Sequence, residues 1–370
     1  MSEEIISHRQ LFFIIYIMRT FVVISYMPTL TSGEALQDAW LSTLVALLFA
    51  LPQVWLIAAM GAGFPGETVF QYGPRLLGPW LGRLVTIPFL WHFLWIASLE
   101  LRLYAEVVAT AFMVETPIIV VVLSMVIVAA VAAAAGIEVV GRLVDLLFPL
   151  FLLTIVLALI FPLIKADFAN LLPVLDRGWG PVLSSTIIPT VMTSQIMVLL
   201  VIMSSLNRPQ KFVAKALGAL ALSYTTLLVG VILVISTLGA EEGARSLFPF
   251  FRMVRSISVG GFLQRVEALN IIPWGLGIYI ALSVNLWSGS RGVQQILNLK
   301  DYRPLIPPMA VIWVILSIHG FDDVFQLKRI ILPKYAIPVN ALSSLVPLLV
   351  LWAARIGQNI RRWRTEGRRK

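Results

Sequence analysis

The chain has 370 residues, of which 59% are hydrophobic and 13% are charged. Soluble domains carry about 25% charged residues, so this composition, with apolar runs of the length that crosses a bilayer, excludes a soluble domain. The absence of cysteine excludes disulfides, thiol catalysis and cysteine metal sites. The net charge of +9 does not indicate nucleic-acid binding, because much of it lies in the tail RRWRTEGRRK and in loops, where topology signals and anionic-lipid contacts are expected.

Ten apolar segments predict ten membrane-spanning helices, and therefore an all-α polytopic membrane protein. With an even number of spans, 17 Lys and Arg residues fall on the side of the two termini and 9 fall on the other side, which predicts cytoplasmic termini. The opening MSEEIISHRQ lacks the pattern of a cleavable signal peptide. The predicted spans are 9–27, 39–60, 80–112, 117–135, 142–164, 182–205, 212–238, 267–298, 305–320 and 337–356.

The first span contains an arginine. Its stretch YIMRTFVVISYMP places Arg19 about ten residues into the helix, near the middle of the bilayer. An arginine at that depth costs about 2.5–3.5 kcal/mol on insertion scales, so we expect Arg19 to face the bundle interior. Two interpretations stay open: Arg19 pairs with a carboxylate, or it snorkels or caps backbone carbonyl groups.

Charged residues also lie in the third span, in the stretch SLELRLYAEVVA. Arg102 and Glu106 are four residues apart and can pair on one face of a helix, which leaves Glu100 without a local partner. His92 lies earlier in the same span. It is either a buried neutral histidine with one hydrogen bond or a proton-sensing group.

Three connecting segments are expected to have structure of their own. The segment 63–78 predicts a short interfacial helix after a turn. The segment 171–183 is punctuated by proline and glycine and places a tryptophan at a membrane interface. The segment 241–261 mixes apolar residues with arginines, and this amphipathic composition favours a helix lying on the outer surface over an ordinary external loop.

The sixth span, VLSSTIIPTVMTSQIMVLL, has a proline in its middle. Pro189 removes one backbone donor and disturbs the preceding turn. The polar residues around it, which include Thr190, Thr193 and Gln195, can satisfy freed backbone groups or contact a ligand. The pattern therefore predicts a broken helix with a binding site, although a plain proline kink is the alternative.

Several stretches, in order along nearly the whole chain, resemble the spore germination permeases, which are the B subunits of nutrient-germinant receptors in endospore-forming bacteria. That family belongs to the amino acid/polyamine/organocation superfamily. The most specific stretch is the last one. The resemblance rests on DAWLS (38–42), FPGETVFQYGPRLLGPWLG (64–82), ETP (115–117), GIEVVGR (136–142), LLPVLDRGWGPVL (171–183) and FPFFRMVRSISVGGFLQRVEALNIIPW (248–274).

The resemblance implies a LeuT-like fold in one transmembrane domain spanning 1–370. The fold consists of two inverted five-helix repeats, here 9–164 and 182–356, with interrupted helices 1 and 6 and a basic cytoplasmic tail at 357–370. It also implies a nutrient site between helices 1, 3, 6 and 8, and a location in the spore inner membrane. The implied partners are an A-type membrane subunit and a C-type lipoprotein subunit.

Helices 1 and 3 are neighbours in that fold, so we predict an ion pair between Arg19 and Glu100, with Glu106 as the second choice. Arginine suits this role because it can bind a carboxylate through two parallel hydrogen bonds. One departure from the family is MRTFVVIS (18–25), which stands where members usually have glycines that let a ligand carboxylate approach the backbone. The candidate ligand-contacting residues are Arg19, Thr20, Trp95, Ser98, Ile188, Thr190, Thr193, Tyr279 and Ser283.

Catalytic and metal-binding patterns are missing from the sequence. The three histidines lack metal-ligand spacing, and no glycine-rich phosphate loop precedes a basic helix. We therefore expect no cofactor and no enzymatic activity. Three functions stay open: a germinant-sensing receptor subunit for a small nutrient, an autonomous sodium-independent secondary transporter of an amino acid or related solute, and an ion conduit.

Overall fold

The computed structural model describes residues 4–25, 34–246, 248–256, 268–321, 326, 329–330 and 332–367. Helices make up nearly all of these residues, and no β-strand occurs among them beyond one isolated bridge between Ile6 and Leu206. The all-α prediction is confirmed.

Each predicted span has a helical counterpart, and eight of the helices are long and apolar enough to cross a membrane. Of the other helices in the described residues, Ile306–His319 is apolar but shorter, and His8–Ser25 begins with the polar residues His8, Arg9 and Gln10. The helices are α1 (His8–Ser25), α2 (Ala39–Ala62), α3 (Pro79–Ala111), α4 (Ile118–Ala135), α5 (Ile137–Ile160), the interrupted α6 (Trp179–Ser205), α7 (Val213–Leu238), α8 (Ala268–Ile296), α9 (Ile306–His319) and α10 (Pro333–Asn340, Ala341–Leu345 and Val346–Gly367).

Two of the three connecting segments form short helices. Val69–Leu77 confirms the helix predicted within 63–78, and Thr68 and Gln71 form a capping box at its start. The surface segment contains two helices, Ala240–Arg245 and Pro249–Arg255, instead of one. Its end at 257–261 lies outside the described residues, and so do positions 257–267 of the motif 248–274. Positions 26–27 of the first predicted span and position 267 of the eighth also lie outside them.

Helix α6 is the innermost span. In its most apolar stretch 83% of the residues are buried, compared with 28% in the span formed by α5 and the residues that follow it. Helix α1 packs against α5, α7, α8 and the middle of α6. Irregular backbone is tolerated at membrane depth only where protein or a cavity surrounds it, and the position of α6 meets this condition.

The N-terminal segment ties one end of the bundle together through Glu4. One carboxylate oxygen, Oε2, accepts hydrogen bonds from the indole Nε1 of Trp287 (3.0 Å) and the backbone N–H of Ile137 (3.2 Å). The other, Oε1, accepts from the hydroxyl of Tyr302 (3.0 Å). Gly136 has φ +101° and leaves no room for a Cβ beside this carboxylate, so a glycine is required there.

Two further observations fix this segment. Burial, with the neighbouring Glu4 carboxylate as the next cause, raises the pKa of the Tyr302 hydroxyl, which therefore keeps its proton and donates. The backbone N–H of Ile6 donates to the carbonyl of Ser205 at the end of α6 (2.9 Å). The segment thus joins α5, α6, α8 and the start of α9.

Candidate functional site

The middle of α6 leaves the α-helical geometry. After the short α-helical piece Ile187–Val191, residues Met192–Val198 form a 3₁₀ helix, and α-helix resumes at Leu199–Ile202. A 3₁₀ stretch of this length is uncommon and often marks a functional hinge. The interruption predicted around Pro189 is present, and its main irregularity begins three residues after the proline.

Side chains from three other helices donate to carbonyl groups of α6. The hydroxyl of Tyr224 donates to Pro189 O (2.9 Å), and Arg19 Nη1 donates to Met192 O (2.8 Å). His92 Nε2 lies 3.0 Å from Ser194 O. Thr193 Oγ1, within α6, contacts both Pro189 O and the Tyr224 hydroxyl at 3.1 Å. The altered backbone of α6 is therefore held by buried polar side chains.

Helix α1 behaves differently from the helix 1 implied by the resemblance. It is continuous from His8 to Ser25, so MRTFVVIS is helical where an interruption was expected. Arg19 is fully buried, and its guanidinium lies 5.6 Å from the ring centroid of Tyr224. The carbonyl-capping interpretation of Arg19 describes its contact with Met192 O.

The predicted direct ion pair between Arg19 and Glu100 is not formed. Within the described ranges, the ion pairs shorter than 4.0 Å do not join these two residues, although the charge of Arg19 acts on the Glu100 carboxyl. The physical reason is α6, which provides Met192 O for Arg19 and the Gln195 amide for Glu100 (Nε2 to Oε1, 2.7 Å). The second-choice partner, Glu106, pairs with Arg102 at 2.8 Å.

Two buried oxygen atoms beside this contact accept no hydrogen bond from the residues that the structure describes. These are Glu100 Oε2 and Gln195 Oε1. A buried acceptor without a donor costs about 1–3 kcal/mol, and such groups in native proteins call for an explanation in terms of function, water or ions. The pair therefore offers two acceptors to a ligand that carries N–H or O–H groups.

Helix α10 contributes polar groups that the sequence reasoning missed. Ser194 Oγ donates to Asn340 Oδ1 (2.7 Å), and His92 Nδ1 lies 3.1 Å from Ser343 Oγ. Ala341–Leu345 is a single π-helical turn, a feature found frequently at functional sites. The sequence signal was Pro338 ahead of Asn340 and paired serines in an apolar span. We call the connected set the polar network: Arg19, His92, Glu100, Thr193, Ser194, Gln195, Tyr224, Asn340 and Ser343.

The other predicted ligand contacts lie outside this network. Three hydroxyls bond to the carbonyl four residues earlier in their own helix, and the buried Thr20 hydroxyl has no hydrogen-bond partner within the described part of the chain. Ile188 is buried, Trp95 packs against Trp91 and Phe321, and Tyr279 is partly buried. The three self-bonded hydroxyls are those of Ser98 (to Leu94), Thr190 (to Thr186) and Ser283 (to Tyr279). Of the predicted residues, the structure brings together Arg19, Thr193 and Glu100.

Known proteins resemble this chain in sequence and fold. The family profile described as "Spore germination protein" matches residues 5–322. Spore germination protein KB of Bacillus subtilis (strain 168) is 29% identical over 322 residues, covering 86% of each chain. Spore germination protein YndE of the same organism is 22% identical over 347 residues, covering 91% of this chain and 96% of the relative.

Solved structures show the fold. A crystal structure of MhsT in complex with L-phenylalanine gives a TM-score of 0.67 at 13% identity, covering 90% of this chain and 87% of that one. The Eremococcus coleocola manganese transporter mutant E129A gives 0.61 at 14% identity, covering 91% and 77%. The fold is LeuT-like, and neither the relatives nor these transporters point to an enzyme. The chain belongs to the family of spore germination proteins.

Proposed function

We propose that this chain is the membrane-embedded subunit of a spore germinant receptor, and that it binds a small nutrient at the 3₁₀ stretch of α6. The observation that carries the proposal is the pair of buried acceptors, Glu100 Oε2 and Gln195 Oε1, which accept no hydrogen bond from any described residue. A ligand ammonium or other donor group matches them, since burying a polar atom without a partner is unfavourable.

The ligand class follows from the charges around the site. Arg19 supplies a fixed positive charge from α1, and Glu100 supplies a carboxyl from α3. An amino acid or a related solute carries the complementary groups. The fold neighbour described with L-phenylalanine supports this class, because its structure aligns with 90% of this chain.

Signalling then requires two conformations with different affinity for the nutrient, because a ligand shifts an equilibrium only by its differential affinity. The 3₁₀ stretch of α6 is the element that we expect to change, because it contacts α1, α3, α7 and α10 through the polar network. The proposed readers are an A-type membrane subunit and a C-type lipoprotein subunit, in a spore inner membrane with both termini of this chain on the cytoplasmic side.

A ligand screen by thermal shift on the detergent-purified chain tests the site. Ligand at about 100 times its Kd stabilises the folded state by about 2.7 kcal/mol. We expect an amine-containing nutrient to stabilise the unmodified chain and Glu106→Gln but not Glu100→Gln. Glu106→Gln is the matched control, since it changes the same group in the same helix outside the polar network. Equal stabilisation of all three proteins contradicts the proposed site.

Autonomous secondary transport is the second candidate, favoured by the transporter fold. Uptake of labelled amino acids into proteoliposomes that contain only this chain distinguishes a transporter from a receptor subunit. We expect binding without concentrative uptake. Robust concentrative uptake in the absence of partner subunits contradicts a purely sensory role.

A further inference from the structure

We propose that a groove between α2 and α10 binds the phosphate of an anionic phospholipid headgroup. The groove is a cavity of about 610 Å³ at the end of the bundle where α2 ends. Its lining includes Phe64, Arg75, Arg355 and Gln358. Basic pockets between transmembrane helices at a membrane surface are a recognised form of anionic headgroup site.

The two arginines are held in the groove by Phe64. The Arg75 guanidinium lies 5.2 Å from the Phe64 ring centroid and the Arg355 guanidinium lies 5.3 Å from it. Arg355 Nη1 also donates to Ala59 O (3.0 Å), and the Arg355 guanidinium lies directly against Gly63. Glu67 pairs with Arg75. The groove therefore has two fixed positive charges against one negative charge.

A pair of tryptophans places this groove at the level of lipid headgroups. Trp55 of α2 and Trp352 of α10 stack at 6.0 Å, and Trp55 is 48% exposed. Tryptophan collects at the membrane–water interface. Arg355 follows Trp352 by three residues, a rise of about 4.5 Å along the helix, and its guanidinium lies 5.1 Å from the Trp352 ring.

The surface on the bilayer side of these tryptophans is apolar. Leu48 and Phe49 of α2 are 66% and 57% exposed, and Leu349 of α10 is 47% exposed. On the other side, α10 continues to Gly367 with the sequence IRRWRTEG, which adds positive charge. A free phosphate ion needs only the arginines, whereas a phospholipid also uses the adjoining apolar surface. The combination therefore favours the lipid.

The test is binding of phosphatidylglycerol to the delipidated full-length chain in detergent, measured by native mass spectrometry and by thermal shift. We compare the unmodified chain with Arg75→Gln, Arg355→Gln and Arg142→Gln. Each arginine near an anionic headgroup contributes about 1 kcal/mol, which corresponds to about fivefold weaker binding in the first two variants. Arg142→Gln is the control, because Arg142 is an exposed arginine paired with Glu138 elsewhere on the surface.

Arg75→Gln keeps the Arg355 contact with Ala59 O, so its effect reports on headgroup binding even if Arg355→Gln is unstable. Phosphatidylcholine and inorganic phosphate are the two comparison ligands. Preferential binding of phosphatidylglycerol that weakens in Arg75→Gln and not in Arg142→Gln supports the proposal. Equal binding to all variants overturns it. Inorganic phosphate that binds as tightly as the lipid also overturns it, because the source of the phosphate is then a free ion.

Discussion

Helices α1 and α6 occupy corresponding positions in the two halves of a LeuT-like fold, yet they provide polar groups in different ways. Helix α6 gives up regular geometry over Met192–Val198 and offers carbonyl oxygens. Helix α1 stays helical from His8 to Ser25 and offers the guanidinium of Arg19 instead. One helix changes its backbone, and the other keeps its backbone and buries a charged side chain.

The difference shows how the two solutions depend on each other. A carbonyl freed inside the bilayer needs a donor, since no water is present to provide one. A buried guanidinium has only donors and needs acceptors. The contact between Arg19 Nη1 and Met192 O joins one guanidinium donor to one carbonyl group of the 3₁₀ stretch at 2.8 Å. An unbroken α1 is therefore compatible with a broken α6, because the Arg19 side chain provides the polar group that a broken α1 backbone would otherwise offer.

Removing the charge of Arg19 should disturb the contact between α1 and α6 more than any other substitution considered below. We expect Arg19→Met to lower the free energy of unfolding by about 1.5–3 kcal/mol, because Met192 O then loses a hydrogen bond from a charged donor. Thermal unfolding of the detergent-purified chain measures the loss. Arg19→Lys keeps the charge but loses the planar guanidinium, so its stability should lie between those of the unmodified chain and Arg19→Met. An Arg19→Met protein as stable as the unmodified chain would show that α6 holds its geometry without α1.

The hydrogen bond between Gln195 of α6 and Glu100 of α3 should have the next largest effect on stability. We expect Gln195→Ala to lower the free energy of unfolding by about 1–3 kcal/mol, because both Glu100 oxygens then lack a hydrogen-bond donor in the buried core. Chemical denaturation with a helical signal by circular dichroism measures it. Gln294→Ala, at an exposed hydrogen bond near the end of α8, is the control and should change stability by less than about 0.5 kcal/mol. Equal effects of the two substitutions would refute a special role for Gln195.

Tyr224 makes two contacts that can be tested separately: its hydroxyl donates to the α6 backbone, and its ring lies beside the charged Arg19. Tyr224→Phe keeps the ring beside Arg19 but removes the hydroxyl that donates to Pro189 O. We expect a loss of about 1 kcal/mol, the usual net value of one hydrogen bond. The same thermal unfolding assay applies, with Tyr335→Phe as the exposed control. A larger loss than in Gln195→Ala would rank the α7 contact above the α3 contact.

Sodium should have no effect on ligand binding. The fixed charge of Arg19 repels a second cation near α1, so the nutrient-induced thermal shift should be the same in sodium chloride and in choline chloride. Titration of the nutrient in both salts measures this. A sodium-dependent increase in affinity would contradict this expectation, because it would show that a cation assists binding despite the charge of Arg19.

The sequence was sufficient for the architecture. Hydropathy located a helix for each of the ten spans, and Pro189 with its polar neighbours indicated the interruption of α6. These features are local, because bilayer thickness and proline geometry act on neighbouring residues. The departure of MRTFVVIS from the glycine-rich pattern was also visible in the sequence, and its consequence is the unbroken α1.

The composition of the polar network was not predictable in the same way. The Arg19–Glu100 prediction assumed that α1 and α3 meet directly, but the 3₁₀ stretch of α6 accepts from one and donates to the other. Tyr224 comes from a helix whose sequence shows an ordinary apolar span, and only Pro338 and the paired serines distinguish the helix of Asn340, so tertiary packing selects both partners. Partners that are far apart along the chain leave no periodic signal.

The hydrogen bonds of Glu4 also determine how easily its end of the bundle can open. Three hydrogen bonds converge on one carboxylate, so a movement that separates α5, α8 and the start of α9 from this segment together breaks all three. At a net value of about 0.5–1.5 kcal/mol for each bond, these bonds set an energetic threshold of a few kcal/mol for any rearrangement that separates them. A ligand whose differential affinity lies below this threshold leaves that end closed for most of the time, however tightly it binds.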